Sequence, residues 1–267
     1  MSKIGFIGVG NMGGTLAKVA IHALGTSSVY VSSRTPEKAT QFAEENGCHA
    51  EVNTQLAATA DMIFLGVKPQ KMAELFDEIA PVLAKRQDRF VLVSMAAGLT
   101  TNRIAALAKG NYPVLRIMPN TPALVGEGVI PYCGNEKAAQ DDLAQLEAVL
   151  KGAGLVAPLP ENLIDAACSV AGCGPAFVYI FIEALADAAV SCGLPRNIAL
   201  EYAAQTVLGS AKMVLETGEH PGKLKDAVCS PGGSTIAGVK ALEDGAFRAA
   251  AENAVLAAFK RNQELGK

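Results

Sequence analysis

Short apolar runs alternate with segments of helical periodicity through roughly the first 160 residues of the chain. The runs are rich in Val, Ile, Leu and Phe, as expected of strands buried on both faces of a parallel sheet. We predict strands over residues 4–7, 28–31, 48–52, 62–67, 90–94, 114–118, 129–133 and 154–158. We predict helices between them from residue 12 and over 36–46, 56–60, 71–84, 101–109 and 136–151. This alternation is typical of an α/β fold with a doubly wound sheet.

The strand pattern stops at Pro158-Leu-Pro160, and only helical periodicity follows. The later predicted helices cover 163–191, with a break near 172–175, and then 196–216, 221–228, 236–242 and 247–265. We therefore predict two domains, 1–158 and 159–267. The later helices are too apolar to stand alone as one exposed bundle, which favours burial against a second subunit. The alternative is a single deep core within one chain.

The first predicted strand runs into Gly8-x-Gly10-x-x-Gly13, after which the first helix opens. A strand, a glycine turn and a helix in this order form the phosphate-binding unit of a dinucleotide fold. Gly8 permits the tight turn, Gly10 lets the backbone approach a pyrophosphate, and Gly13 lets the helix pack close to the strand. The alternative, a glycine-rich turn without a ligand, is disfavoured by the flanking pattern.

The second predicted strand ends at Ser32-Ser33-Arg34-Thr35. NAD-specific folds carry an acidic residue here that bonds the ribose 2′-hydroxyl. Ser33 and Arg34 instead suit a 2′-phosphate through charge-assisted hydrogen bonds. We therefore predict NADP as the cofactor, with NAD as a possible second one. The other interpretation is a solvated turn that caps the next helix, with Pro36 in its first turn.

Composition and charge narrow the function further. The 267 residues carry a net charge of −3, which gives no electrostatic footprint for nucleic acid. No charge-free apolar run of membrane-spanning length occurs, and no signal peptide is evident, so we expect a cytoplasmic protein without a membrane partner. The six cysteines form no C-x-x-C pair and the three histidines are scattered, so we expect no metal site.

A second glycine-rich turn, Ser230-Pro-Gly-Gly-Ser-Thr235, leads into a predicted helix. Free N–H groups and hydroxyls at a helix N-terminus suit an anion such as a carboxylate. An ordinary capped turn between helices is the alternative. We select Ser230, Gly232, Gly233, Ser234 and Thr235 as substrate-binding residues, together with Asn120 at the end of a predicted strand.

Other candidates lie at the ends of predicted strands. Lys68 and Asn120 end strands beside the cofactor crevice, where they could contact a ligand. Each could equally be ordinary, Lys68 as a solvated lysine and Asn120 as part of a loop bend. His220 could be a helix cap or a proton donor. No clear acid–base pair is present, which favours hydride transfer to an already protonated imine over reduction of a ketone.

Several motifs together resemble the pyrroline-5-carboxylate reductase family over nearly the whole chain. They are Gly5-Phe-Ile-Gly-Val-Gly-Asn-Met-Gly13, Val67-Lys-Pro69, Met118-Pro-Asn-Thr-Pro-Ala123, Gly172-Cys-Gly-Pro-Ala-Phe177 and, most specifically, the segment from His220 to Thr235 with Leu242-Glu243 and Phe247-Arg248. Ala171, Cys173, Phe177 and Ser234 depart from the family's usual residues.

The resemblance implies an N-terminal Rossmann domain, a C-terminal helical domain that dimerises, and reduction of 1-pyrroline-5-carboxylate to L-proline with NADPH. It implies that residues 230–235 hold the substrate carboxylate and that Thr235, our catalytic candidate, bonds the ring nitrogen. It places the cofactor near Gly8, Gly10, Asn11, Met12, Ser33, Arg34, Asn53, Val67, Lys68, Pro69, Ala96 and Ala97, with the nicotinamide near residues 96–98, Gly98 included, and Asn120.

Two other functions fit part of this pattern. A β-hydroxyacid dehydrogenase shares the glycine-rich start, but it uses a catalytic lysine on the long helix, and residues 163–191 contain no lysine. A redox-sensing NADP-binding module is the other, but such a module has no need of a second anion-binding turn like the one at residues 230–235.

Overall fold

The computed structural model describes residues 2–265 of the chain. These residues form two compact units. The first contains the described residues of Met1–Cys173 and Ala258–Lys267, and the second is Gly174–Ala257. The domain boundary after residue 158 remains a prediction.

The first unit is built on one sheet of eight strands. They are β1 (Ile4–Ile7), β2 (Val29–Ser32), β3 (His49–Ala50), β4 (Met62–Leu65), β5 (Val91–Ser94), β6 (Val114–Ile117), β7 (Gly128–Gly134) and β8 (Gly154–Pro158). Their order in the sheet is β3-β2-β1-β4-β5-β6-β7-β8. The first six strands run parallel, as predicted. The order reverses around β1, which places a crevice at the carboxyl ends of the strands.

Helices cover both faces of this sheet. In the first unit they are α1 (Asn11–Leu24), α2 (Pro36–Asn46), α3 (Asn53–Thr59), α4 (Met72–Leu83), α5 (Thr101–Leu107), α6 (Gln140–Val149) and α7 (Ile164–Ala167). Met62 and Phe64 pack in the core layer that includes α1 and α2. Ile63 and Leu65 pack in the opposite layer with α3 and α4. Burial on both faces explains why the strands read as continuous apolar runs.

The direction of β7 is a feature that the sequence pattern did not reveal. β7 pairs antiparallel with β6, and β8 then runs parallel to β7. The chain reverses after β6 through a 3-10 turn at Thr121–Val125, which ends at Gly126 with φ +79°. An apolar run predicts burial but not direction, so both orientations fit the same residues.

The second unit is entirely helical and has a very small core. Its helices are α8 (Gly174–Ser191), α9 (Arg196–Thr217), α10 (Pro221–Ala227) and α11 (Ser234–Asp244), together with the part of α12 (Phe247–Leu265) up to residue 257. Three alanines, Ala186, Ala199 and Ala203, form its buried cluster where α8 packs on α9. Large apolar side chains such as Ile180, Tyr202 and Leu215 are exposed in the single chain.

These observations confirm the predicted fold class: an N-terminal Rossmann-type doubly wound sheet followed by an all-α region. They also explain the apolar composition of the later helices. A core of three small residues buries too little surface to stabilise helices of this length, so another surface must cover them.

One helical stretch, Glu161–Ser191, is long and apolar enough to cross a membrane by length and composition alone, and only 11% of its apolar window is buried in the single chain. We predicted no membrane span because no charge-free run of that length occurs, and this stretch does contain charged residues such as Asp165 and Glu183. A protein interface and a lipid bilayer would each cover such a surface.

Candidate functional site

The turn between β1 and α1 has the geometry expected of a phosphate-binding loop. Gly8 has φ +101°, a conformation that residues with a Cβ adopt at a cost. A Cβ added to Gly13 would lie 2.0 Å from the carbonyl oxygen of Gly8, so α1 can approach the turn only because Gly13 lacks one. A Cβ added to Gly10 would meet no protein atom within 4 Å. Glycine at this position therefore keeps space open rather than serving internal packing.

A cleft of about 910 Å³ opens beside this turn, in the size range of ligand sites. Eight of the predicted cofactor residues line it: Gly8, Gly10, Asn11, Ser33, Arg34, Asn53, Val67 and Lys68. They come from the ends of β1, β2 and β4 and from the start of α3. The fold thus brings together residues that are as far as 60 positions apart in the sequence.

The cleft is rich in positive charge. Lys18, Arg34, Lys38, Lys68 and Lys71 line it, against two carboxylates, Glu74 and Glu78. Lys71 is paired with Glu74 at 2.7 Å, and this contact, with Arg34 adding a smaller effect, lowers the pKa of the exposed Glu74 carboxyl. Within residues 2–265, Lys18, Arg34, Lys38 and Lys68 form no salt bridge. Cations without a carboxylate partner beside a glycine turn fit a dinucleotide that carries a third phosphate.

The cap of α2 supports the same interpretation. Thr35 occupies the N-cap position, yet its side chain makes no capping hydrogen bond. The Ser33 hydroxyl accepts a long hydrogen bond of 3.4 Å from the Thr35 amide. Neither hydroxyl is strongly engaged, so the cap alone explains Ser33 and Thr35 poorly.

The remaining predicted cofactor residues lie outside the lining of this cleft. They are Met12, Pro69, Ala96, Ala97, Gly98 and Asn120. Met12 is in the first turn of α1, Pro69 opens a 3-10 turn, and residues 96–98 follow β5 at the same sheet edge. Ala96 is buried as a whole residue, with 1% of its surface exposed in the single chain.

Asn120 has a clear structural task. Its Oδ1 accepts a hydrogen bond of 2.8 Å from the Val129 amide, and its Nδ2 donates one of 2.9 Å to the Ala171 carbonyl. Ala171 lies in a π-helical turn, Cys168–Gly172, which begins before the predicted break near 172–175 and overlaps it only at Gly172. π-turns recur at functional sites. Asn120 therefore fixes this turn to the end of β6, whatever contact it makes with a ligand.

A buried charge cluster holds the chain just before the π-turn. Arg116 in β6 is buried and pairs with Asp165 at 2.5 Å, with Glu161 at 3.9 Å. Glu161 in turn accepts hydrogen bonds from the amide and the hydroxyl of Thr101 at the start of α5. Paired in this way, the buried guanidinium is tolerated and links β6, α5 and α7.

Two thiols near this cluster have low reactivity at neutral pH. Burial raises the pKa of Cys133 to about 11, and the nearby Glu161 carboxylate adds to the shift. Burial likewise raises the pKa of Cys168 to about 11. A thiol in this state is a poor nucleophile at neutral pH.

The second glycine-rich turn lies in the helical unit and is a type II β-turn. Gly232 has φ +70° after Pro231, and the Gly233 amide donates to the Ser230 carbonyl at 3.0 Å. A Cβ on Gly233 would lie 2.4 Å from the Ser230 hydroxyl. The turn itself therefore requires glycine at Gly232, whereas Gly233 has φ −77° and its short contact is with a hydroxyl that can rotate.

The N-terminus of α11 directly follows this turn and is the feature that can bind an anion. The helix begins at Ser234, two residues before the predicted start, with Gly233 as the N-cap. Ser234 and Thr235 therefore lie in the first turn, where N–H groups have no intrahelical acceptor and the helix dipole is positive. Both side chains are exposed in the single chain. The position suits a carboxylate.

His220 acts as a helix cap. Its Nδ1 accepts a hydrogen bond of 3.1 Å from the Gly222 amide at the N-terminus of α10. This contact favours the first of the two roles that the sequence left open for His220.

Sequence reasoning missed Lys18, Lys38, Lys71, Glu74 and Glu78 in the cleft. Lys38 had a usable signal, since it lies one helical turn beyond Arg34. Lys18 lies two turns beyond Asn11 and so shares its helix face. Lys71 lies just before α4, and Glu74 and Glu78 lie in it. These three residues become neighbours of the cleft only through packing of α4 against α3.

Two family models match the chain. Residues 161–265 match pyrroline-5-carboxylate reductase dimerisation, and residues 3–98 match NADP oxidoreductase coenzyme F420-dependent.

Close relatives cover 80% to 99% of the chain. The pyrroline-5-carboxylate reductase of Escherichia coli is 41% identical over 268 residues, covering 99% of this chain and 98% of the relative. That of Synechocystis is 46% identical over 217 residues, covering 80% and 79%. The crystal structure of Plasmodium falciparum pyrroline carboxylate reductase with NADP bound superposes with a TM-score of 0.89 at 32% identity, covering 100% of this chain and 98% of that one.

Proposed function

The chain belongs to the pyrroline-5-carboxylate reductase family, and we propose how its two glycine-rich turns share the work of that reaction. The protein is an NADP-dependent oxidoreductase that reduces 1-pyrroline-5-carboxylate to L-proline, the final step of proline biosynthesis. When bound, the reduced nicotinamide supplies the hydride. The chain's own residues bind the cofactor and the substrate, orient them and exclude water.

The first turn and its cleft hold the cofactor. The open space at Gly10 and the first N–H groups of α1 receive the pyrophosphate, as in other dinucleotide folds. Ser33 and Arg34 receive the 2′-phosphate, helped by Lys38. The absence of an acidic residue at the end of β2 is the observation that favours NADPH over NADH as the cofactor.

The second turn holds the substrate. The N-terminus of α11 neutralises the substrate carboxylate, and Ser230 and Ser234 add hydroxyl donors. Thr235, exposed in the first turn of the same helix, orients the ring nitrogen. With the carboxylate and the nitrogen both fixed, C5 of the imine has one face available for reduction.

The protein needs to transfer few protons in this reaction. A protonated imine already carries the positive charge that makes C5 electrophilic, and the amine product keeps that proton. No conventional acid–base pair is therefore required.

We also propose a cytoplasmic homodimer formed through the helical unit. The exposed apolar residues of α8 and α9 support a protein interface over a membrane, because residues 161–265 match a dimerisation family and include the membrane-length stretch. A second copy would supply the missing core.

The first test is oxidation of NADPH by the purified protein in the presence of 1-pyrroline-5-carboxylate, with NADH in parallel. We expect turnover with both, and a higher kcat/KM with NADPH. Turnover favouring NADH would overturn the assignment of Ser33 and Arg34, whereas no turnover with either cofactor would overturn the function.

A pair of hydroxyl variants tests the substrate half. Thr235→Ala should lower kcat by about tenfold, the loss expected for one hydrogen bond of about 1.4 kcal/mol in the transition state. Ser234→Ala, its neighbour in the same helical turn, should mainly raise KM for the substrate. An unchanged kcat in Thr235→Ala would remove Thr235 from the mechanism.

A further inference from the structure

A carboxylate lies close to the arginine that we assign to the 2′-phosphate. Glu74 is in the first turn of α4, and it lines the cofactor cleft together with Arg34. Lys71 lowers the pKa of the Glu74 carboxyl, and Arg34 adds a smaller effect, so the Arg34 and Glu74 charges act on each other. The proposed reaction uses Arg34 but gives Glu74 no task.

An NADP site has a physical reason to avoid a free carboxylate at this place. Glutamate can pair with arginine through two parallel hydrogen bonds, which are the bonds that a phosphate would also use. A carboxylate also repels a phosphate, because the two charges have the same sign. NAD-specific folds use an acidic residue to select the 2′-hydroxyl. The end of β2 has no such residue, but the fold brings one in from α4, 40 positions after Arg34.

Lys71 engages Glu74 in the structure. The Lys71 Nζ donates a hydrogen bond of 2.7 Å to Oε2 of Glu74, three residues later. Lys71 ends the 3-10 turn Pro69–Lys71, in which its amide donates to the Lys68 carbonyl at 2.8 Å, and it is also the N-cap residue of α4. The backbone of this turn therefore places Lys71 beside the helical turn that carries Glu74.

The pair has little value as a structural contact. Both side chains are more than half exposed in the single chain, and exposed ion pairs stabilise a fold only weakly. Its larger consequence is for the charge near Arg34. Lys71 offsets the negative charge of Glu74 and occupies one of the two carboxylate oxygens that could otherwise bind the guanidinium.

We propose that Lys71 is a specificity-determining residue: by pairing with Glu74, it keeps Arg34 free for the 2′-phosphate and so favours NADPH over NADH. Lys71 acts through Glu74, which makes it a positioning residue for the cofactor and not a catalytic one. Without Lys71, Glu74 pairs with Arg34 and competes with the phosphate. NADH lacks that phosphate and takes no part in the competition. The inference rests on the proposed function in taking Arg34 as the phosphate contact.

The test is calorimetric titration of NADP⁺ and NAD⁺ into a double-mutant cycle, with folding checked by thermal unfolding. Lys71→Met keeps an unbranched side chain without the charge, and it should weaken NADP⁺ binding about two- to fivefold, the effect of an exposed ion pair. Its affinity for NAD⁺ should change by less than about twofold. Glu74→Gln removes the competing charge and should bind NADP⁺ at least as tightly as the original chain.

The double variant distinguishes two roles of Lys71. If Lys71 acts through Glu74, Lys71→Met should cause no further loss of NADP⁺ affinity in the Glu74→Gln background. An equal loss in both backgrounds would overturn the proposal, because Lys71 would then contact the phosphate directly. Unchanged NADP⁺ binding in Lys71→Met, or equal weakening of NADP⁺ and NAD⁺, would overturn it as well.

Asp77→Asn is the matched control for the loss of a carboxylate. Asp77 lies in the same helix as Glu74 but outside the cleft lining, so its replacement should leave both affinities unchanged. Kinetics exclude general damage to the fold: in Lys71→Met, KM for NADPH should rise while kcat and KM for NADH stay unchanged.

Arg34→Ala separates a failure of this proposal from a failure of the proposed function. If Arg34→Ala leaves NADP⁺ binding unchanged, the assignment of the 2′-phosphate is wrong and the role of Lys71 is refuted with it. If Arg34→Ala weakens NADP⁺ binding but Lys71 and Glu74 show no coupling in the cycle, only the role of Lys71 is refuted. These binding data stand even if the chain fails to turn over 1-pyrroline-5-carboxylate.

Discussion

Alanine at Gly10 and alanine at Gly13 should damage the protein in opposite ways, although the two positions are three residues apart. At Gly13 the new Cβ would lie 2.0 Å from the Gly8 carbonyl oxygen. Heavy atoms are comfortable only from about 3.5 Å, so α1 and the turn must separate by more than about 1 Å. At Gly10 the new Cβ meets no protein atom within 4 Å.

The turn cannot yield easily at Gly13. The Gly8 amide donates to the Ser32 carbonyl at 2.8 Å, and the Gly66 amide donates to the Ile7 carbonyl at 2.8 Å. Overpacking of this kind costs about 1–3 kcal/mol. At about 2–4 °C per kcal/mol, Tm of Gly13→Ala should fall by roughly 2–12 °C.

Gly10→Ala should keep its stability within about 0.5 kcal/mol, because φ −71° at this position suits alanine. Its cofactor affinity should nevertheless fall about tenfold to hundredfold, the worth of one charge-assisted hydrogen bond to the pyrophosphate. Thermal unfolding without ligand and calorimetric titration with NADP⁺ measure the two effects separately. Normal NADP⁺ affinity in Gly10→Ala would refute the idea that the space beside Gly10 belongs to the cofactor.

Three further outcomes are expected. Arg34→Ala should raise KM for NADPH about tenfold or more and change KM for NADH less than about twofold, and equal changes would contradict its role at the 2′-phosphate. Ile180→Asp places a charge on a residue that is 67% exposed in the single chain, and it should shift the protein from dimer to monomer in sedimentation velocity, with an unshifted dimer arguing for another interface. Since the pKa values of Cys133 and Cys168 rise from 9.0 to about 11 on folding, the unfolded chain binds fewer protons between these values. Stability to urea should therefore be constant up to about pH 9 and then fall as the pH rises towards about 11, and replacing both thiols with alanine should flatten that fall.

Local patterns were sufficient to predict most of the fold. Apolar runs located the strands, and glycine and proline marked the ends of the helices, because these signals depend on a few neighbouring residues. The direction of β7 was not predictable in this way, since pairing with β6 depends on the path of a turn. The same holds for Arg116, whose partners Glu161 and Asp165 lie more than 40 residues away.

The residues of the site also divide into those that a local motif predicts and those that depend on contacts between distant parts of the chain. Gly8, Gly10, Ser33 and Arg34 follow from a contiguous motif and its expected spacing, and all four line the cleft. Glu78 belongs to no motif, because it reaches the cleft only through the packing of α4 against α3. In the second turn, the structure gives Gly232 a conformational reason of its own, φ +70°, and the substrate-binding role of residues 230–235 stays a prediction.

Residues 258–265 return to the first unit, and this bears on how the protein is made. The Asn262 side chain donates to the Asp165 carbonyl and to the Ser169 hydroxyl, so it braces the segment that carries the π-turn. Asn262 is synthesised 97 residues after Asp165. At about 5–20 residues per second, the ribosome needs roughly 5–20 s to supply it. The nucleotide-binding half therefore waits, with this segment incompletely held, until translation has passed through the entire helical unit.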